Sequence, residues 1–222
     1  MKFVFPEIDC VFDTDCGIIN TLIIENQKLM YSLINDIQKQ LAGFDGRSVL
    51  SEGDKILSIN KKLELLDRFI PFDLNSKALI SKIAADLEKK AISDEWYNRT
   101  CEFIGNMQSL LSNLAFDYAC NIEFSKIGIG SVIKACGIEI CDDYDSLGEK
   151  IIDYFELIQE FIGKKLFVTV NLRSYISDKE AELFMQTALS HQFSVLMIEN
   201  CEHKRLSFEK RLIVDADLCL IS

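Results

Sequence analysis

Two carboxylates close two apolar runs of this chain. Glu25 ends Leu22-Ile-Ile-Glu25, and Glu199 ends Leu196-Met-Ile-Glu199. Each run reads as a strand buried on both faces of a parallel sheet, and ligands gather at the carboxyl ends of such strands. Glu25 and Glu199, joined by Asp13 or Asp15, could hold a divalent cation or act as an acid/base pair, as in a small α/β metal-dependent phosphohydrolase. Asp142, Asp143 and Asp145 form a second acidic group, although carboxylates so placed commonly cap helix N-termini. No histidine or lysine stands in an evident pairing with Glu25 or Glu199 that would poise either for proton transfer.

Other chemistry is missing from the letters. A phosphate-cradling Gly-x-x-x-x-Gly-Lys-Ser/Thr run is absent. Its nearest echo, Gly128-Ile-Gly130-Ser-Val-Ile-Lys134, has the wrong spacing. A magnesium-holding strand would end in Asp, whereas Val168-Thr-Val170 ends in the uncharged Asn171. There is no Gly-x-Ser-x-Gly and no catalytic Cys/His signature. A Cys-x-x-Cys pair is also absent, and the two histidines, His191 and His203, lie in different segments, which excludes a zinc site of the usual pattern. The sequence therefore carries no enzyme signal. Lys55, Lys61 and Lys62, with Arg68 behind them, are the residues that could contact phosphates; taken alone they read first as a solvated surface.

The elements that must position these residues follow from periodicity. Leu166–Val170, a helix opened by the capping box Ser177-Asp-Lys-Glu180, and Phe193–Ile198 make a βαβ unit, whose crossover is right-handed almost without exception. Ile18–Ile24 is a further strand. It is followed by a helix with Leu29, Met30, Leu33, Ile34, Ile37 and Leu41 on one face, ended by Gly43. Ser48–Asn60 suggests a hairpin around Glu52-Gly-Asp54. Two helices follow Pro71. One carries Leu79, Ile80, Ile83, Ala84 and Leu87. The longer one, from Trp96 to Tyr118, has an apolar stripe broad enough for more than one partner. They are expected to form an αα-hairpin inserted into the α/β domain. Ser125–Ala135 predicts a short helix, Ser146 caps another that runs to Gly163, residues 201–211 read as a charged loop, and Leu218–Ile221 as a last strand. The expected division is an α/β head of residues 1–64 and 141–222 with a helical insertion of residues 65–140.

Composition bounds the rest. The chain has 222 residues, of which 49% are hydrophobic, enough for a sizeable core. Its eight cysteines sit mostly in apolar runs without a secretory signal ahead of them. This predicts reduced, core-packed thiols, including Cys120, Cys136 and Cys141, in a cytoplasmic protein. No apolar stretch reaches the roughly 20 residues of a membrane span. The net charge of −11 argues against nucleic acid unless cations gather on one surface.

The order and spacing of several segments resemble a known family. These are Leu22-Ile-Ile-Glu25, Phe72-Asp-Leu-Asn-Ser76, Ala85-Asp-Leu-Glu88, Ile133-Lys-Ala-Cys-Gly-Ile138, Lys164-Lys-Leu-Phe-Val-Thr-Val-Asn171 and Val195-Leu-Met-Ile-Glu199. Over nearly the full length the chain is similar to the small accessory proteins of type II-A CRISPR adaptation, the Csn-two family. The resemblance implies a P-loop-NTPase-like α/β domain, with a mostly parallel sheet lacking Walker motifs, plus the inserted α-helical subdomain. It implies a homotetrameric ring that binds double-stranded DNA ends through its central hole, without catalysis or bound nucleotide, in antiviral spacer acquisition beside the CRISPR integrase proteins and the effector nuclease. An alternative is a scaffold that docks other adaptation proteins. Within the resemblance, Lys55, Lys61 and Lys62 match the family's lysine-rich segment, with Arg68 behind them, and are the expected DNA contacts. Four copies of a few lysines facing one hole would make a local positive field despite the acidic total.

The resemblance also implies calcium stabilising the ring, held by an acidic hinge. Here that segment reads Asn121-Ile-Glu123-Phe-Ser125-Lys126. Asn121 and Glu123 are its remaining oxygen donors, and a lysine takes one acidic place. Calcium takes six to eight oxygens, usually with several carboxylates, so the sequence predicts that this segment does not hold the ion in the family's manner.

Overall fold

The computed structural model describes residues 1–14 and 17–221. The chain divides into two compact units, one of Met1–Phe72 with Asp143–Ser222 and one of Asp73–Asp142. In chain order the elements are β1 (Lys2–Val4), β2 (Val11–Asp13), β3 (Ile19–Ile24), α1 (Gln27–Leu41), β4 (Val49–Glu52), β5 (Lys55–Leu57), α2 (Ile59–Lys62) and β6 (Leu63–Leu66). The second unit holds α3 (Lys77–Ala91), α4 (Tyr97–Leu114) and α5 (Ile129–Cys136). The chain then returns with α6 (Leu147–Leu157), β7 (Leu166–Val170), α7 (Asp178–Ser190), β8 (Ser194–Glu199), β9 (Glu209–Val214) and β10 (Leu220–Ile221).

The first unit is a mixed α/β structure. Its main sheet has the order β10-β9-β3-β8-β7-β6. All its pairings are parallel except the edge strand β10, which is antiparallel to β9. A smaller antiparallel sheet, β2-β1-β4-β5, includes the expected hairpin around Gly53. Along β8 the two faces alternate as period-2 geometry requires. Leu196 and Ile198 join Leu22, Val168, Leu33, Ile37, Phe3 and Leu50, where α1 and the small sheet cover one face. Val195 and Met197 join Phe167, Phe155, Phe184 and Ile151, where α6 and α7 cover the other. The stack of Phe155 on Phe167, with ring centroids 3.9 Å apart, lies at the heart of that second layer. Each such side chain fully removed from water is worth about 1.5–3 kcal/mol.

The helix ends follow their local chemistry. The Asn26 side chain accepts from Leu29 N to open α1, and Gly43 follows its end at φ +89°, a conformation glycine adopts without strain. Ser146 caps α6, and Ser177 with Glu180 completes the reciprocal capping box of α7. A π-helical turn, Ile158–Ile162, carries α6 on to Gly163.

Several expectations need correction. Leu63–Leu66, placed across the expected boundary after residue 64, is a strand of the main sheet, and the α/β unit runs on to Phe72. The charged run at 201–211 is not loop throughout, because Glu209–Val214 forms β9 beside β3. Residues 137–140 adopt no regular structure. In the second unit, α3 packs against α5 rather than lying along α4 as a hairpin. Gly130 permits the close approach, since a Cβ there would fall on the Glu88 carboxylate. Asn75 ties the unit together: its side chain donates to Ile140 O (3.1 Å) and accepts from Ile140 N (2.7 Å). No residue of α4 is buried. Its Tyr97, Phe103, Leu110 and Leu114 are exposed, as are Phe116 and Tyr118 beyond it. Cys120, Cys136 and Cys141 are exposed free thiols and not core residues.

Candidate nucleic-acid interface

The sequence writes Lys-Lys-Leu twice, at 61–63 and at 164–166, each time just before a strand. Because β6 and β7 are parallel with Leu63 opposite Leu166, the two pairs arrive side by side at the amino edge of the sheet. A backbone bond from Lys165 N to Lys62 O (2.8 Å) extends the pairing to the lysines themselves. Lys62 Nζ donates to Gly163 O at 3.0 Å. Lys164, 8% exposed, donates to Asn60 O (2.6 Å) and Leu63 O (2.7 Å), and its Nζ lies 3.8 Å from Glu64 Oε2. Burial pulls the Lys164 ammonium below the usual lysine range, with the Glu64 charge opposing. Glu64 also accepts from the Tyr154 hydroxyl at 2.7 Å, and burial with that negative neighbour pushes the phenol upward.

Lys165 donates to both oxygens of Glu52 at 2.9 Å, which holds that carboxyl below its usual range. Glu52 pairs in register with Lys55 across the hairpin, which brings Lys55 to the same edge. Lys55 and Lys61 are exposed. A cavity of about 390 Å³ opens here, lined in part by Glu52, Lys62, Lys164 and Lys165. Five lysines (55, 61, 62, 164, 165) face three carboxylates (Glu52, Asp54, Glu64), a surplus of two positive charges on a protein of strongly negative total. Lys164 and Lys165 were not singled out from sequence, though the repeated Lys-Lys-Leu before parallel strands was the available signal.

The structure brings Lys55, Lys61 and Lys62 together but not Arg68. Arg68 follows the carboxyl end of β6, roughly 13 Å along the strand from the lysines at its start. Asn121 and Glu123 lie exposed in an irregular stretch between α4 and α5. Among the described residues, no three His, Cys, Asp or Glu side chains gather closely enough to hold a metal ion.

Glu25 and Glu199 end neighbouring strands, with Ile23 opposite Glu199, but Asp13 does not join them. Glu25 is exposed at the end of β3, and Glu199 is fully buried at the end of β8. Asp13 lies at the other end of β3, where its carbonyl accepts from Asn20 Nδ2 at 2.9 Å. It is thus separated from Glu25 by roughly 17 Å of strand. Asp15 lies outside the described residues. Asn171, where a magnesium-binding Asp would stand, has φ 56°. Its N–H donates to Ile198 O (2.8 Å), and its Oδ1 accepts from Asn200 N (3.0 Å), so it ties β7 to β8.

Behind Glu199 is a buried charge network that the letters did not reveal. Glu199 Oε1 accepts from Arg173 N at 3.2 Å, while Oε2 has no hydrogen-bond partner among the described residues and lies 3.7 Å from His203 Nε2. Burial pushes the Glu199 carboxyl up to about 7, with Arg173 opposing. Arg173 reaches Asp178 (2.6 Å) and Lys204 O (3.2 Å). Glu209 is saturated: it accepts from Thr21 Oγ1 (3.0 Å), Leu206 N (2.7 Å) and Arg211 Nε (2.8 Å). These residues lock the 200–208 connection onto the sheet.

A mixed α/β unit with a helical insertion, a lysine-rich sheet edge and no nucleotide motif is the class of protein these features define. The chain belongs to the Csn2 family of CRISPR-associated proteins, whose family model, described as "CRISPR-associated protein (Cas_Csn2)", matches residues 40–218. It is similar to "CRISPR-associated protein Csn2" of Enterococcus faecalis, with 24% identity over 185 residues, 79% of this chain and 84% of that protein. A protein of the same name from Streptococcus agalactiae shares 26% over 213 residues, 90% of this chain and 89% of its own length. The chain therefore has a CRISPR-associated role, and its partners lie within that system. Among the described residues, no helix is long and apolar enough to cross a membrane.

Proposed function

We propose that this chain is a non-catalytic protein that binds double-stranded DNA ends and acts in CRISPR spacer acquisition as a homotetrameric ring. The observation that carries the reading is the lysine cluster at the amino edge of the main sheet. DNA affinity comes largely from neutralised phosphates, and this cluster concentrates cations on an acidic protein. Lys55, Lys61 and Lys62 are the contacts, with Lys165 beside them; Arg68, beyond the carboxyl end of β6, is not assigned to the interface. Self-association is supported by α4, whose unburied apolar residues are a surface suited to another copy. We read the fold as a P-loop-like α/β domain that has lost its nucleotide motifs, a reading supported by the mostly parallel sheet and by Asn171 standing where a magnesium-binding Asp would. The absence of catalysis is supported by Asp13 lying at the opposite end of β3 from Glu25 and by the complete burial of Glu199.

Assembly does not depend on calcium at Asn121 and Glu123. A single carboxylate beside Lys126 falls short of the oxygen set calcium takes. Calcium-dependent assembly lost in Glu123→Ala would reverse this.

The test is a gel shift with a blunt linear duplex and the same DNA as a relaxed circle, at two salt concentrations. Binding to linear DNA alone, weakened by salt, is expected of a ring threaded from an end. Equal binding to both forms would mean an open basic patch, and binding to neither would refute the reading.

A further inference from the structure

The face of the main sheet covered by α6 and α7 carries a second feature, independent of the lysine edge. Between the two helices runs a cavity of about 340 Å³. Its floor is apolar, with Ile152 and Phe184 buried, and Leu183 stands at its lip 56% exposed. Its walls are acidic. Glu149, Asp153 and Glu156 follow one another on α6 at spacings of four and three residues, which places them on one stripe of that helix. All three are exposed. From Ser146 to Glu156 the groove runs about 15 Å, nearly three helical turns. His191 Nδ1 meets Glu156 Oε1 at 2.6 Å to close one end. Among the described residues no lysine or arginine lines it, so Glu149 and Asp153 are not neutralised from within as Glu52 is by Lys165.

We propose that this groove docks a basic amphipathic segment of a protein partner, an apolar side chain seated against Leu183 and Phe184 and lysines or arginines paired with Glu149, Asp153 and Glu156. An apolar anchor in a groove with charged walls is the arrangement of helix-in-groove recognition. The charge complementarity is one-sided: an acidic segment would meet carboxylates on the α6 wall, and nucleic acid is repelled. The groove contains none of the lysines assigned to DNA, so the two surfaces serve different ligands.

The test uses the full chain and a fluorescein-labelled peptide of about 14 residues, with leucine and lysine at helical spacing. Binding is read by fluorescence anisotropy. A peptide with glutamate for lysine is the charge control. Glu149→Lys with Asp153→Lys, and separately Leu183→Ser, are each expected to weaken binding about tenfold or more. Asp94→Lys with Glu95→Lys makes the same charge change on exposed residues elsewhere and is expected to bind as the native chain does. Circular dichroism confirms that each variant is folded. Equal weakening by the control pair would show that net charge alone attracts the peptide and would overturn the proposal. So would native-like binding by both groove variants. Sedimentation separates a second copy from a foreign partner: if Leu183→Ser dissolves self-assembly, the groove is an interface between copies and the proposal fails. The gel shift of the groove variants is expected to match the native chain, so loss of peptide binding and loss of DNA binding remain distinguishable.

Discussion

Replacing Glu199 by glutamine is expected to stabilise the protein increasingly as pH rises from about 4.5 to about 7, and by a constant amount above that. The carboxyl is fully buried, its Oε2 has no hydrogen-bond partner among the described residues, and burial pushes its titration from the ordinary 4.5 up to about 7. The charged and titratable groups around it are Arg173, Asp178, His203, Glu209 and Arg211. Arg173 opposes the upward shift and Glu209 adds to it. Burial and Arg173 pull the His203 imidazole below its usual range. A folded-state titration raised above the unfolded one means that the protonated carboxyl favours folding. That advantage is complete below about pH 4.5, shrinks as pH rises, and is gone above about pH 7.

The shift of roughly 2.5 pH units, at about 1.36 kcal/mol each, makes ionised Glu199 cost about 3 kcal/mol. Glutamine resembles the protonated acid and carries no such cost. The native and Glu199→Gln chains are therefore expected to melt together near pH 4, below the unfolded titration. At pH 8 the variant is expected to melt roughly 6–12 °C higher, at about 2–4 °C per kcal/mol for a protein of this size. Thermal unfolding followed by circular dichroism at half-unit steps across that range measures the difference, in which titrations common to both chains cancel. A Tm difference that stays constant from pH 4 to pH 8, or a variant that melts lower at pH 8, would refute the reasoning.

Other perturbations have simpler expectations. Lys61→Glu with Lys62→Glu should abolish DNA binding in a gel shift while leaving the sedimentation behaviour of the native chain intact; unchanged affinity would remove those residues from the interface. Phe155→Ala removes a ring stacked on Phe167 and edge-on to Phe184 and Phe193, and should cost about 3–5 kcal/mol in denaturant unfolding. Ser177→Ala takes away the cap of α7 and should cost about 1 kcal/mol by the same measurement, with no effect on DNA binding.

The parts of the fold that were legible in the sequence are those where one pattern dominates. Leu166–Val170 and Phe193–Ile198 are unbroken apolar runs because both their faces are covered, and the capping box at Ser177 marks the helix between them. β9 was hidden because its polar letters are used inward: Glu209 accepts from both Arg211 and Thr21, which a count of charges reads as a loop. The short strands β1 and β2 carry too few residues for a period to emerge. The second unit misled for a different reason. The apolar letters of α4 and the nearby cysteines imply burial, but within this chain they are not buried, and periodicity does not distinguish a core from a surface awaiting a partner. Of the candidate interface, Lys55, Lys61 and Lys62 were legible. Lys164 and Lys165 required the β6–β7 register, and the placement of Arg68 required the strand direction.

The position of β3 has a consequence for the order of events during synthesis. It is flanked by β8 and β9, so the strand made among the first is enclosed by strands made among the last; Thr21 and Glu209 are 188 residues apart. Closing so long a loop brings no return until both neighbours exist. While the ribosome is still translating the region before residue 194, β3 has neither partner, and its apolar side chains must remain uncommitted or shielded. The unit of residues 73–142 is complete well before that and can fold first. A nascent chain arrested just short of β9 is therefore expected to show a protease-resistant helical unit joined to an unfolded head, with resistance reaching the head only after Val214 has left the exit tunnel.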